Sequence, residues 1–355
     1  MVFISSQSVT ACKQTVRSHT MTIAPPSPEG LKNGIFFAIH DQPFSRLHYA
    51  TLCLMQGLRS LGVPAFSNCP IPDVQARGFD PVAYDLYVFN ITERSANGPM
   101  LPFLEKFPRK EKILLSMSDT NGIIFPGAGF PSLMTHENKF LKLAGNRQPW
   151  AFGISEEILE KTKNIPPFEE RSFGVLRNFR PSNNQDVRNF LDLSFVEVLE
   201  KYLPVDRSIG SDHFERLLGI TACLAYGGNI SVDQSSNSYF AQNESYKYIL
   251  ERSEYKNPLV VVRWDSWRFW ESLAAGCLTF HLDFEKYGFL LPEMPVPWKH
   301  YIPIDMADPV GSVDRFMDSR SRWAEIARSG REWALEHYSP VACARRLLRV
   351  MPCGA

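Results

Sequence analysis

The sequence has no excess of either charge, since its 355 residues include 38 basic and 38 acidic side chains. That balance gives no electrostatic reason to expect nucleic acid or an anionic membrane as a partner. No apolar run reaches the roughly 18–20 residues that cross a bilayer, so no transmembrane segment is expected. The seven cysteines form no C-x-x-C pair. A cytoplasmic, reducing setting without a disulfide framework or a cysteine-based metal cage is therefore predicted.

The chain is longer than one ordinary core requires, and two domains of about 150 residues are expected. Residues 1–33 are polar, contain no apolar signal core and end near a proline-rich stretch, which predicts a disordered tail. Pro166 and Pro167 follow a predicted helix and indicate a boundary. The predicted units are an N-terminal domain, 34–165, a second domain, 171–320, and C-terminal helices, 321–355.

Both predicted domains alternate short apolar runs, typical of buried strands, with segments of helical periodicity. This rhythm predicts an α/β fold with mostly parallel sheets covered on both faces. The predicted strands are 34–39, 63–66, 85–90, 112–117, 172–176, 259–262 and 278–282. The predicted helices include 47–61, 155–163, 184–202 and 267–275. Gly62 can end the first of them in the left-handed conformation.

Residues 259–282 carry the strongest signal for a ligand site. An apolar strand leads to Arg263, and a helix then places Arg268 and Glu271 on one face, with Gly276 as its stop. Backbone N–H groups at a helix start favour phosphate oxygens, and an arginine adds bidentate bonds. A carboxylate one turn further along the helix can accept hydrogen bonds from ribose hydroxyls, so this arrangement of arginine and glutamate suits a nucleoside diphosphate. The alternative is a surface ion pair between Arg268 and Glu271.

The segment W-R-F-W-E-S-L-A-A-G-C, residues 267–277, resembles the donor-site helix of GT-B glycosyltransferases. The nearest branches are the spore-maturation-type and exostosin-like enzymes, in which a similar pattern precedes a strand. The resemblance continues in residues 299–305 and 327–340, whereas the first half of the chain shares only the strand–helix rhythm. It implies two Rossmann-like domains facing a central cleft, with C-terminal helices that cross back towards the first domain.

This resemblance implies that Glu271 binds the ribose and Arg268 the diphosphate of a nucleotide-sugar donor, with Arg263 helping to neutralise the leaving group. Many retaining members carry a second carboxylate eight positions before the ribose glutamate. Here that position is Arg263, and the nearest acid is Asp265. Retention or inversion is therefore left open, and a non-catalytic relative is an alternative.

Two further loops at strand ends are candidates for the cleft. Arg177 and Arg180 follow the first strand of the second domain, where they form a second anion clamp or merely polar loop charge. His40 and Asp41 follow the first strand of the chain and are candidates for the general base or for acceptor binding. The alternative for this pair is a local turn.

The remaining candidates are expected to be structural. Tyr226-Gly227-Gly228-Asn229 allows close approach to a ligand but equally forms a plain turn. Most of the aromatic residues near the motif are expected in the core, with at most one touching a ligand. The other candidates in this class are Asp119, His136 and Glu137, whereas His300 looks like part of the family motif, with packing alone as the alternative.

The predicted function is that of a hexosyltransferase-type glycosyltransferase that moves a sugar from a nucleoside-diphosphate sugar to an acceptor hydroxyl. The resemblance implies metal independence, which agrees with the lack of a D-x-D motif and of a His/Cys cluster, and no cofactor beyond the donor co-substrate is expected. The donor sugar, nucleobase and acceptor stay open. Alternatives are a nucleotide-sugar hydrolase or epimerase of the same fold and a non-catalytic sugar-nucleotide or glycan-binding module.

Overall fold

The computed structural model describes residues 31–39, 49–69, 75–77, 83–91, 112–116, 132–140, 147–179, 186–210, 212–231 and 260–350. Over these residues the chain is mixed α/β, with two parallel sheets and one short antiparallel pair of strands. In the part of the chain that the structure describes, no helix has the length and apolar character needed to cross a membrane. No disulfide joins the cysteines of these residues.

The first sheet has seven parallel strands in the order β3-β2-β1-β4-β5-β6-β7. Its order reverses beside β1, as in a doubly wound fold, where ligands bind beyond the carboxyl ends of the strands. Strand β1 is buried along its whole length, which explains its continuous apolar sequence. The strands are Ile35–Ile39, Ala65–Ser67, Gln75–Ala76, Leu86–Ile91, Lys112–Ser116, Ser132–Met134 and Arg147–Pro149.

The second sheet has five parallel strands in the order β14-β13-β10-β8-β9. Counted from β8 this is the order 2-1-3-4-5, another doubly wound arrangement whose order reverses between β8 and β10. Strands β8 to β14 are Ser172–Leu176, Val205–Asp206, Ile220–Leu224, Asn229–Ser231, Val260–Val262, Leu278–Leu282 and Ile302–Ile304. The α/β class with parallel sheets is confirmed, and the domain boundaries stay a prediction.

Strand β12 differs from the simplest expectation for its apolar sequence. Val260–Val262 pairs antiparallel with β11 and lies outside the five-stranded sheet. The chain turns into this pair at Gly228, whose φ is 114°. A side chain there would lie 2.6 Å from the carbonyl oxygen of Val262, so only glycine permits the approach. Gly228 thus serves a close contact within the protein.

The helices connect the strands and cover the sheets. They are α1 to α9: Tyr49–Ser60, Glu156–Lys161, Asp186–Leu191, Glu197–Leu199, His213–Gly219, Trp267–Ala274, Pro309–Asp318, Trp323–Tyr338 and Pro340–Val350. A π-helical turn, Asp192–Val196, interrupts the helix predicted over 184–202. The predicted helix stops are confirmed, because Gly62 and Gly276 have φ values of 73° and 68°.

The last helix packs on the first one. A side chain at Gly57 of α1 would lie 1.9 Å from the carbonyl oxygen of Pro340 at the start of α9. The thiol of Cys53 in α1 donates to the carbonyl of Ile154, and the thiol of Cys343 in α9 donates to that of Tyr338. The end of the chain therefore returns to the helix that follows β1, and the domain arrangement that the resemblance implied stays a prediction.

Candidate functional site

The candidate site lies at the carboxyl edge of the second sheet, where the direction of helices α5 and α6 brings their first turns together. In a parallel sheet each connecting helix runs opposite to the strands, so its first turn lies at the carboxyl edge of the sheet. Helix α5 leads into β10, helix α6 leads into β13, and β8 ends at the same edge. The loop after β8 and the first turns of α5 and α6 therefore meet beside the reversal in strand order.

A chain of hydrogen bonds links four residues at this edge. The Nε of Arg268 donates to the backbone carbonyl of Asn178. The Asn178 amide nitrogen lies 2.5 Å from Nδ1 of His213, and Nε2 of His213 lies 2.9 Å from Oε2 of Glu271. Arg268 and Glu271 share one face of α6, as the sequence predicts, but they are joined through Asn178 and His213 across the edge of the sheet.

Glu271 combines a fixed position with access to solvent. Its side chain is 20% exposed and that of His213 is 18% exposed. Among the described residues, Oε2 bonds to His213 and Oε1 has no hydrogen-bond partner. The Oε1 atom can therefore accept hydrogen bonds from hydroxyl groups of a bound molecule while His213 holds the carboxylate through Oε2.

Arg177 lies next to this chain, but its guanidinium is buried. Its Nε donates to Oδ1 of Asp192 at 2.8 Å, its Nη2 pairs with the other carboxylate oxygen, and its Nη1 donates to the carbonyl of Phe179 at 2.9 Å. The guanidinium also lies over the Phe179 ring. The anion clamp at Arg177 stays a prediction, and it would require a ligand to compete with Asp192.

Arg263 begins the turn between β12 and α6. Its φ of 56° is in the left-handed region, which is rare for a side chain larger than asparagine or aspartate. His136, in the loop after β6, shares this conformation with a φ of 59°. Burial and the nearby charge of Arg263 lower the pKa of His136 to about 3. The imidazole is therefore neutral, and its Nδ1 accepts the backbone N–H of Asp265 at 2.9 Å.

Asp265 is buried, and other protein groups donate to both of its carboxylate oxygens. Oδ1 accepts the indole N–H of Trp270 at 2.8 Å, and Oδ2 accepts the backbone N–H of Phe152 at 3.1 Å. This acid ties the start of α6 to the segment after β7. The carboxylate of Asp265 thus has an evident structural role. Asp265 is also the acid nearest in sequence to position 263, where the resemblance would place a second carboxylate and this chain has Arg263.

The opposite face of α6 belongs to the core. Phe269 and Trp270 are 1% and 0% exposed, as is expected for aromatic residues on a helix that covers a sheet. Trp264 is also buried, stacks on Phe289 and donates its indole N–H to the carbonyl of Glu137. Trp267 is only partly buried, and it stacks on Phe152 with ring centroids 4.3 Å apart.

The other sequence candidates have evident structural contacts or lie outside the described residues. His300 stacks on Trp333 and accepts the N–H of Val296 at Nδ1. Glu137 forms a nearly buried ion pair with Arg147 at 2.6 Å. His40, Asp41, Asp119 and Arg180 lie outside the described residues.

Sequence reasoning missed His213 and gave Asn178 no role. The signal that finds His213 is its place as the first residue of a helix that returns to the sheet, the same position that Trp267 has in α6. In the described part of the chain, no group of three or more His, Cys, Asp or Glu side chains is placed to hold a metal ion.

Comparison with protein-family models gives no match, and neither does comparison with curated proteins. Similar solved structures include a glycosyltransferase from Rickettsia africae ESF-5, at TM-score 0.51 and 10% identity, covering 90% of this chain and 98% of that one. AviGT4, a glycosyltransferase involved in avilamycin A biosynthesis, matches at TM-score 0.50 and 11% identity, over 89% and 96% of the two chains. Anabaena Alr3699/HepE in complex with UDP has TM-score 0.45 and 11% identity, over 88% and 98%. The first two likenesses confirm at the level of the fold the resemblance to GT-B glycosyltransferases.

Proposed function

We propose that this protein is a glycosyltransferase that transfers a sugar from a nucleoside-diphosphate sugar to an acceptor hydroxyl, with the donor bound at the start of helix α6. The fold shared with glycosyltransferases supports this proposal. The motif in residues 267–277 favours the spore-maturation-type and exostosin-like branches of that fold. The two Rossmann-like domains and the cleft between them are part of the proposal.

The observation that carries the proposal is the placement of Arg268 and Glu271. Both lie in the first turns of α6, where backbone N–H groups and the helix dipole favour an anion. Ser266 precedes the helix without a side-chain cap, and its own side chain is buried. A diphosphate at this helix start would bring its ribose one turn further along, towards Oε1 of Glu271.

The reaction needs the negative charge on the leaving diphosphate to be stabilised as the anomeric bond breaks. Arg268 and the helix N–H groups would supply that stabilisation. Arg263, Arg177 and Arg180 are proposed as further phosphate contacts. His40 or Asp41 is proposed as the base that removes the acceptor proton, and metal independence is proposed with these roles.

A second candidate is a non-catalytic module that binds sugar nucleotides. Two observations favour it over a retaining transferase. Arg263 occupies the position of the second carboxylate, and other protein groups bond to both carboxylate oxygens of Asp265.

Calorimetric titration and a nucleotide-release assay separate these candidates. UDP, GDP and their sugars are titrated into the wild type and Glu271→Ala, and nucleotide release is then measured with and without acceptor hydroxyl compounds. The transferase predicts that the wild type binds and turns over a donor, and that Glu271→Ala weakens binding roughly tenfold or more. Binding without turnover favours the module, and release that needs no acceptor favours a hydrolase. If no nucleotide binds the wild type, the site assignment is wrong.

A further inference from the structure

We propose that His213 is a positioning residue of the donor site, which holds the Glu271 carboxylate so that Oε1 faces the donor ribose. The inference rests on the proposed function, because it assigns a role inside the same site. It adds a residue from helix α5 to a site whose two main donor contacts, Arg268 and Glu271, lie on α6. His213 and Glu271 are 58 positions apart in the chain and meet through a 2.9 Å contact.

The hydrogen-bond partners of the imidazole determine which ring nitrogen carries the proton. The amide nitrogen of Asn178 can only donate, so Nδ1 of His213 accepts its hydrogen. In the neutral imidazole the proton is then on Nε2, and Nε2–H donates to Oε2 of Glu271. Asn178 therefore sets the tautomer that makes His213 a donor to the carboxylate.

The bonds of Asn178 also connect the two proposed donor contacts. Its side chain orients His213, while its backbone carbonyl accepts from Nε of Arg268. The loop after β8 thus orders the arginine and the carboxylate relative to each other before a ligand arrives. Groups that are held in their bound geometry spend less conformational entropy on binding, so this arrangement raises affinity.

The position of His213 in its own helix supports a role in the site. It is the first residue of α5, and its ring is only 18% exposed. One turn further along the same face of this short helix, Leu217 is fully buried and packs into the protein. The ring of His213 can therefore be replaced without removing this buried contact of the helix.

Two variants separate the donor function of Nε2 from the rest of the side chain. The amide nitrogen of glutamine reaches the position of Nε2, so His213→Gln keeps a donor for Glu271. The shorter asparagine reaches only the position of Nδ1, so His213→Asn loses it. Both variants carry the same neutral, polar carboxamide, and they differ in the length of the side chain by one methylene.

The experiment is calorimetric titration of the full chain with UDP, GDP and their 2′-deoxy forms. For the nucleotide that binds, we expect His213→Asn to lose roughly tenfold in ribonucleotide affinity, and His213→Gln to stay within about threefold of the wild type. The 2′-deoxynucleotide should be affected by less than about twofold, because it makes fewer bonds to the carboxylate. The preference for ribose therefore falls in the asparagine variant and returns in the glutamine variant.

Three outcomes would overturn the inference. Unchanged ribonucleotide affinity in His213→Asn, while Glu271→Ala binds weakly, removes the role of His213 and leaves the proposed function intact. Equal losses for ribo- and deoxyribonucleotides in both His213 variants indicate a merely structural residue. Absence of nucleotide binding by the wild type, or full affinity in Glu271→Ala, overturns the proposed function and this inference together.

Discussion

Two polar clusters meet the first turns of helix α6, and they differ in how completely the protein satisfies them. On one side, both carboxylate oxygens of Asp265 accept hydrogen bonds from Trp270 and Phe152, and its backbone N–H bonds to His136. On the other side, only one carboxylate oxygen of Glu271 has a partner among the described residues.

The comparison separates stability from binding between two carboxylates that lie about two helical turns apart, Asp265 and Glu271. A buried carboxylate whose oxygens are occupied by protein donors stabilises the fold. A partly exposed carboxylate that is oriented through one oxygen is available to a ligand. The Asp265 cluster consists of Asp265 with Trp270, Phe152 and His136, and the Glu271 cluster consists of Glu271 with His213.

The largest expected effect is on unfolding. Asp265→Ala leaves the Phe152 amide and the Trp270 indole without their acceptor, so we expect the free energy of unfolding to fall by roughly 3 kcal/mol. Glu271→Ala removes a partly exposed contact and should cost less than about 1 kcal/mol. Urea denaturation of the two variants measures both values. Equal losses would remove the distinction between the clusters.

The next effect is stabilisation by ligand. At a concentration 100 times the dissociation constant, a nucleotide that binds only the folded chain adds about 2.7 kcal/mol to the free energy of unfolding. We expect this gain in the wild type and at most about 1.4 kcal/mol in Glu271→Ala, because roughly tenfold weaker binding leaves the same concentration at only about ten times the dissociation constant. Denaturation with and without UDP or GDP gives the difference. A full gain in Glu271→Ala would place the ligand elsewhere.

The smallest effect is the pH dependence of stability. Burial and the charge of Arg263 lower the pKa of His136 to about 3 in the folded chain, against about 6.5 when unfolded. The unfolded chain therefore binds the extra proton first as the pH falls through this window. Stability is full above pH 6.5 and decreases by about 1 kcal/mol between pH 6 and pH 5 from this residue.

His136→Asn tests that contribution, because asparagine tolerates the left-handed backbone and does not titrate. Its stability should depend less steeply on pH than that of the wild type between pH 6.5 and pH 5. Denaturation midpoints of the two proteins measured across this pH range give the comparison, and parallel curves would contradict it.

The sequence predicts the elements of α6 and its surroundings well, because their signals are local. The helix Trp267–Ala274 follows from the periodicity of its apolar residues. Its end at Gly276 follows because a helix commonly stops at a residue with left-handed backbone conformation, which glycine adopts without strain. The apolar run Leu278–Leu282 is a buried strand, as its composition indicates. The pairing of Val260–Val262 with Asn229–Ser231 outside the main sheet depends on contacts between distant segments.

The composition of the site depends on distant contacts in the same way. Nothing near His213 in the sequence indicates that its ring reaches a glutamate 58 residues later. Arg177 has the sequence context of a phosphate ligand, yet Asp192, 15 residues further on, already binds its guanidinium. Side-chain partners across elements are set by tertiary packing, which periodicity and motif spacing do not specify.

The most direct test is a crystal structure of the protein with a nucleoside diphosphate bound. We expect the diphosphate at the first turn of α6 beside Arg268, a ribose hydroxyl within hydrogen-bond distance of Oε1 of Glu271, and His213 still bonded to Oε2. A nucleotide bound away from α6, or a ribose that makes no contact with Glu271, would contradict the account.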